Sequence, residues 1–190
     1  IGQFSFIRCV HDIRSTWARS AHPHIKRAVF DKRKPTLGLI QLHGRNAQIQ
    51  LGSMVIVLPW HDPMRVAEEI SMLDNMSDGR MILGIGRGLG RIEFEGFNRD
   101  MNVSREYFTE SAQMILEGLE NGVCEFDGEL IKQPRREIRP RPFKSFRGRT
   151  YAAAVSPESS QIMAKLGVGI LIVPQKPWDA VEKELDAYRA

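Results

Sequence analysis

Three groups of residues in this chain have the types and spacing to hold an anion. The first is Gly84-Ile85-Gly86-Arg87-Gly88-Leu89-Gly90, with glycine at every second position. Alternate glycines strip side chains from a strand end and let a ligand approach the backbone closely. Arg87 adds positive charge within that stretch, and Arg105 adds it further on. The third group is Ser156-Pro157-Glu158-Ser159-Ser160. Serine is a favoured N-cap and proline a favoured first helical residue, so a helix starts here. Its free N–H groups and positive dipole end attract an anion. A plainer role stands beside each of these. Ser156 could simply cap its own helix, Arg87 could face solvent, and Arg105 could pair with Glu106 or Glu110 on its own helix.

Two nucleotide-binding motifs fail. A G-x-G-x-x-G fingerprint starting at Gly84 meets Leu89 at its third glycine, and one starting at Gly86 meets Arg91. No Gly-Lys-Ser/Thr follows, so a Walker A loop fails as well. What remains is a flat, glycine-rich strand end of the kind that lines the mouth of a barrel.

Other reactive side chains read as structural. Asp74, Ser77 and Arg80 precede a strand, at the end of a parallel barrel that serves stability. His61 heads a helix in His61-Asp62-Pro63, where a capping or surface role is expected. His22 and His24 lie in a segment without periodicity, and no residue is assigned as catalytic acid or base. Cys9 and Cys124 have no metal spacing and read as free thiols of a reducing cytoplasm. Residues 135–149 hold seven Lys/Arg against one acidic residue, with Phe143 and Phe146 between them. That is an electrostatic footprint without a recognition module. Pro134, Pro140 and Pro142 point instead to an extended surface loop over 133–149.

From residue 51 onward the pattern alternates strand and helix. Apolar runs predict strands over 51–58, 81–85, 151–155 and 169–173. Helical spacing predicts helices over 63–73, 102–119, 157–166 and 177–188. A hairpin is expected over 123–131, turning on Asp127-Gly128. Four strand–helix units in series imply a parallel sheet with right-handed crossovers.

The region 51–105 resembles the bacterial luciferase-like flavin-dependent monooxygenases, and their α-chain branch in particular. The matching residues include Leu51-Gly52-Ser53, Leu58-Pro59, His61-Asp62-Pro63, Ala67-Glu68-Glu69, Leu73-Asp74, Ser77-Asp78-Gly79-Arg80, Gly84-Ile85-Gly86-Arg87-Gly88, Glu93-Phe94, Asp100-Met101-Asn102 and Ser104-Arg105. The resemblance thins out but extends over about 44–173. It implies an α/β fold, a partial (β/α)8 TIM-like barrel of luciferase-like type with about four βα units. It implies reduced FMN as cofactor, O2 and a small organic substrate. It places Met54, Arg87 and Leu89 against the flavin, Arg105 near its phosphate, and Val155, Ser156 and Ser159 around that phosphate. A separate flavin reductase and homo-oligomer formation also follow from it. The alternatives are a deazaflavin (F420)-dependent oxidoreductase on the same barrel, or a non-catalytic flavin-binding remnant. Nucleic acid and membrane are not expected as partners.

Length and charge qualify this expectation. A complete (β/α)8 barrel takes roughly 250 residues, more than the 190 present. A fragment is therefore expected, and its open strand edges invite self-association. The net charge of +4 is uneven: residues 1–50 hold nine Lys/Arg and two Asp/Glu. Residues 1–43 read as an atypical basic segment, containing four of the five histidines but no Glu-His-His element that the resemblance would place there. Residues 44–190 read as the barrel domain. No apolar run approaches the roughly 18–20 residues of a membrane span, so a soluble cytoplasmic protein is expected.

Overall fold

The computed structural model describes residues 50–172 and 177–189, and the 1–43 segment with Cys9, His22 and His24 lies outside them. The run 51–58 is apolar enough for one buried strand, yet it forms two short ones, β1 (Leu51–Gly52) and β2 (Ile56–Val57). Both pair in parallel with β3 (Met81–Gly86). Leu51 faces Met81 and Ile56 faces Ile85, so five steps on one side span four on the other. That extra residue is a bulge, made by residues 53–55, and the Met54–Val55 peptide within it is cis.

Ser53 closes the bulge. The Gly84 N–H donates to Ser53 Oγ at 3.0 Å, and the same hydroxyl donates to the Gly84 carbonyl at 3.1 Å. One inserted residue turns the side chains that follow to the opposite face. Leu51 and Ser53 are therefore buried before the bulge, and Ile56 and Leu58 after it.

The sheet continues from β3 to β6 (Thr150–Ala154) and then β7 (Gly169–Ile172), every pair parallel. Four helices follow these strands in turn: α1 (Pro63–Met76), α3 (Ser104–Asn121), α4 (Pro157–Lys165) and α5 (Trp178–Arg189). Asp62 caps α1 by accepting the Arg65 N–H at 2.8 Å, with Pro63 in the first turn. Gly122 ends α3 at φ 72°, a left-handed geometry that favours glycine. The α1 stripe Val66, Ala67, Ile70 and Leu73 and the α3 stripe Phe108, Ala112, Ile115 and Leu119 are buried with Leu83 and Ile85 of β3. Burying side chains of this size contributes about 1.5–3 kcal/mol each, and it sets the helices on one side of the sheet.

Two elements differ from expectation. A short helix, α2 (Arg91–Gly96), stands between β3 and α3, held by the buried Phe94. The hairpin is longer than 123–131: β4 (Val123–Asp127) pairs antiparallel with β5 (Lys132–Glu137). Its turn is not a two-residue Asp-Gly turn, because the Gly128 N–H donates to the Ile131 carbonyl at 2.9 Å. Glu110 of α3 decides this: its carboxylate accepts the N–H groups of Glu129, Leu130 and Ile131 at 2.9, 3.0 and 2.8 Å. Pro134 falls where the hairpin register shifts, so its missing N–H costs no ladder bond.

The segment expected to be a solvated loop therefore begins as a strand and ends in the core. Phe146 is buried, with the Arg149 guanidinium 4.2 Å from its ring centroid. Arg149 also pairs with the fully buried Asp74 at 2.8 Å and donates to the carbonyls of Met81 at 2.7 Å and Lys144 at 2.6 Å. This cluster ties the start of β3 to the start of β6; Ser77 joins it by donating its hydroxyl to the Asp74 carbonyl at 3.3 Å and in turn accepts Arg80 Nε at its own carbonyl at 2.9 Å.

Candidate functional site

The carboxyl ends of β3 and β6 bring together the starts of α3 and α4. Because parallel strands share a direction, residues that follow them gather at one edge of the sheet. Arg87 follows β3 directly, and its Nη1 donates to Ser104 Oγ at 3.2 Å. Ser104 opens α3 and is buried. The next residue, Arg105, forms an ion pair through Nη1 with Glu158 Oε1 in the first turn of α4. Neither partner foreseen for Arg105 on its own helix takes it, since Glu110 is committed to the hairpin turn.

At the start of α4, Ser156 is extended (φ −154°) and its Oγ accepts the Ser159 N–H at 3.2 Å. The two hydroxyls lie 2.8 Å apart. Ser156 thus caps its own helix, as the plainer reading had it, and its hydroxyl is engaged with Ser159. The Glu158 carboxyl is held below the usual carboxylate range, chiefly by its hydrogen bond and charge pairing with Arg105, with Arg87 adding to the effect. Arg105 therefore holds the Glu158 carboxylate by an ion pair, Arg87 acts on it through its charge alone, and Ser156 and Ser159 stand at the start of the same helix. The arrangement is open to solvent, with the Arg105 side chain 37% exposed and that of Glu158 67%. Guanidinium groups and the free N–H groups of a helix start are both donors that attract anions with several acceptor oxygens.

The remaining sequence candidates occupy the same sheet edge or its approach. Val155 links β6 to Ser156 and is partly buried. Leu89 lies between β3 and α2 and is 60% exposed. Met54 sits in the bulge, with its sulfur 3.5 Å from where a Gly84 Cβ would stand. Hydrogen bonds join Arg87 to Ser104, the neighbour of Arg105, and Ser156 to Ser159, and the Arg105–Glu158 ion pair links the two helix starts; Met54 lies beside Gly84 of β3, and Leu89 follows that strand.

The alternating glycines have another explanation than ligand approach. A Cβ on Gly84 would lie 1.9 Å from the Ser53 carbonyl oxygen, one on Gly86 2.8 Å from Val55 Cγ2, and one on Gly88 2.7 Å from Val57 Cγ1. The face they vacate is filled by the preceding chain, residues 53, 55 and 57. Gly88 also adopts φ +83°, which only glycine takes without strain.

Two features escaped the sequence reading. Trp60 stacks on Phe97 with centroids 5.1 Å apart and meets Phe94 edge-on at 5.8 Å, an aromatic wall made possible by α2. Tyr107, one turn into α3, donates from Oη to the His61 carbonyl at 3.4 Å. Burial pushes the Tyr107 phenol up and the His61 imidazole down from their ordinary values. The sequence carried only a weak trace of this cluster, in Glu93-Phe94. Among the described residues no group of three or more His, Cys, Asp or Glu could hold a metal ion, and no helix is long and apolar enough to cross a membrane.

Comparison with known proteins identifies the family and the fold. A family model described as luciferase-like monooxygenase matches residues 18–190. An alkanal monooxygenase alpha chain from the Kryptophanaron alfredi symbiont is 30% identical over 138 residues, covering 73% of this chain and 39% of the relative. The chain thus spans about two-fifths of the length of that curated relative. Among solved structures, the monooxygenase RslO1 from Streptomyces bottropensis matches with TM-score 0.76 and 26% identity, over 82% of this chain and 48% of that one. The fold alone is shared with the oxygenating constituent of 3,6-diketocamphane monooxygenase from Pseudomonas putida in complex with FMN, at TM-score 0.65 and 17% identity over 81% of this chain and 46% of that one. It is likewise shared with an F420-dependent secondary alcohol dehydrogenase, at 0.68 and 14% over 81% and 48%.

Proposed function

The chain belongs to the luciferase-like monooxygenase family, with the fold of a partial (β/α)8 barrel, and from that premise we propose that it is the flavin-binding part of a flavin-dependent monooxygenase acting on a small organic substrate. The observation that carries the reading is the ion pair that brings Arg105 to the first turn of α4, the helix that Ser156 caps beside Ser159, with Arg87 held at the adjoining start of α3 through Ser104. Such a cluster suits the terminal phosphate of FMN. The Glu158 carboxylate lying on Arg105 shows that this guanidinium takes an oxygen anion at the start of α4, and it supports a fit of these residues to a phosphate.

In this reading Arg105 binds the phosphate through its guanidinium fork, Ser156 and Ser159 contribute hydroxyls, and Arg87 offsets the second negative charge. Val155 borders the site through its backbone, while Met54 and Leu89 flank the ring system. When bound, reduced flavin supplies the electrons that activate O2. The Trp60, Phe94 and Phe97 wall helps to exclude water from the same edge. A separate flavin reductase, a homo-oligomer, a cytoplasmic setting and a distinct N-terminal segment over 1–43 complete the proposal.

Titration with FMN and with riboflavin tests it. FMN binds more tightly, because charge-assisted contacts to phosphate are worth roughly 1.5–3 kcal/mol each. Arg105→Ala weakens FMN at least tenfold, about 1.4 kcal/mol. Arg139→Ala, which removes an exposed partner of Glu137 on the hairpin side, changes it less than twofold. Equal affinity for the two flavins, or equal behaviour of the two variants, overturns the assignment. Oxygen uptake with chemically reduced FMN then separates a monooxygenase from a protein that binds flavin without turnover, and from one that moves hydride to or from a deazaflavin.

A further inference from the structure

We infer that Glu158 is a built-in competitor for the phosphate-binding arginine, so that this side chain sets how strongly the site takes an anionic ligand. The inference rests on the phosphate reading given above and gives Glu158, there only a stand-in anion, a role of its own. Its basis is a single geometric fact. Arg105, offered by the start of α3, is engaged by a carboxylate from the first turn of a different helix, α4. The carboxylate approaches from the helix whose N-terminus is the other half of the anion site.

The charges show why the contact competes with a ligand rather than assisting it. A phosphate placed between Arg105 and the α4 N-terminus would meet the Glu158 carboxylate as a like charge, close to the same guanidinium. Both cannot use the Arg105 fork fully. The residue therefore has to swing away when an anion binds, and it has room to do so because its side chain is mostly solvent-exposed. The position also explains why the pair forms without a ligand. Glutamate in the first turn of a helix is favoured by the dipole, and Arg87 reinforces Arg105 in holding the carboxyl ionised. Arg105 without a partner would bring its charge to the positive end of α4; Glu158 offsets that repulsion until a ligand arrives.

Exposed ion pairs are weak, so displacing this one costs little and the expected effect is moderate. Glu158→Gln keeps the size of the side chain and removes its charge. The affinity for FMN rises by about three- to tenfold, from loss of the competing pair and of the like-charge contact. Affinity for riboflavin, which has no phosphate, stays within about 1.5-fold of the parent on the same grounds. In the Arg105→Ala background the gain from Glu158→Gln shrinks, because the contested partner is gone.

Fluorescence titrations of the four proteins with both flavins read all of this. If the parent prefers FMN and Arg105→Ala abolishes the preference, but Glu158→Gln leaves FMN affinity unchanged or lowers it, the competitor role is overturned while the phosphate site stands. If the parent binds the two flavins equally, the phosphate site is overturned and the competitor role with it. A gain for riboflavin equal to that for FMN also overturns the role, since it would report a general change at the sheet edge.

Discussion

Gly84→Ala separates the two reasons a strand end can be rich in glycine. If Gly84 is there for a ligand, alanine costs binding and leaves stability alone. If it is there for the bulge, alanine unfolds the protein more easily. The added Cβ would stand 1.9 Å from the Ser53 carbonyl oxygen, about 1.5 Å short of ordinary contact at 3.4 Å. The obstacle is backbone, so it cannot rotate away. Relief requires moving residues 53–55 off β3, and that breaks the two bonds between Ser53 Oγ and Gly84. Overpacking costs typically about 1–3 kcal/mol, and two hydrogen bonds add about 1 kcal/mol each. Replacing glycine recovers about 0.4–1 kcal/mol by restricting the unfolded chain. The net loss is about 2–4 kcal/mol, against a total stability of about 5–15 kcal/mol for a typical domain. With a urea slope of about 1–3 kcal/mol per molar, the unfolding midpoint falls by about 1–2 M. Gly96→Ala is the control, because a Cβ there meets nothing within 4 Å, and its midpoint stays within about 0.3 M of the parent on the same slope. A Gly84→Ala midpoint equal to that of Gly96→Ala would refute the bulge explanation and return Gly84 to the ligand.

Two further outcomes follow from buried groups. Asp74→Asn leaves the Arg149 guanidinium, 13% exposed, without its carboxylate; breaking a buried pair costs about 3–5 kcal/mol, reduced here because Arg149 keeps the carbonyls of Met81 and Lys144. Thermal melting should show a drop of several degrees, and a smaller drop for the Asp74→Asn/Arg149→Met pair than for the sum of the single changes; strict additivity would contradict the coupling. Burial pushes the Cys124 thiol up from about 9 to about 11, so in a Cys9→Ser background it should resist a thiol reagent at pH 8 until denaturant is added, and prompt labelling of the folded chain would be inconsistent with its place. The native state then holds the Cys124 proton that the unfolded chain releases, so stability is complete below about pH 9 and declines as pH rises toward 11.

The parallel α/β pattern was legible because helices and strands advertise themselves locally. Val66, Ala67, Ile70 and Leu73 repeat at helical spacing, and Asp62-Pro63 and Ser156-Pro157 mark helix starts that the structure realises. The arginine and serine candidates could be picked out for a similar reason, since residue type alone says which groups attract an anion. Where they would meet was not in the spacing. Arg87, Arg105 and Ser156 are far apart along the chain, and only the parallel order of β3 and β6 brings their following residues to one edge.

Tertiary structure alone decided the rest. The run 51–58 is apolar apart from Gly52 and Ser53, which a single strand also tolerates; the break comes from pairing with β3, where Ser53 finds both backbone groups of Gly84. Arg149 looked like one more charge in a basic loop, and Phe146 like a surface aromatic, until Asp74 drew one inward and the core enclosed the other. Glu110 and Glu158 could each have paired with Arg105. The hairpin turn took the first and the approach of α4 supplied the second. Sequence thus determined the main alternation of strands and helices, though not the break in 51–58, the short helix α2 or the strand β5, because its preferences act within a few residues. The partners of the charged side chains were decided by folding, because a charge binds whatever opposite group the packed elements bring within reach.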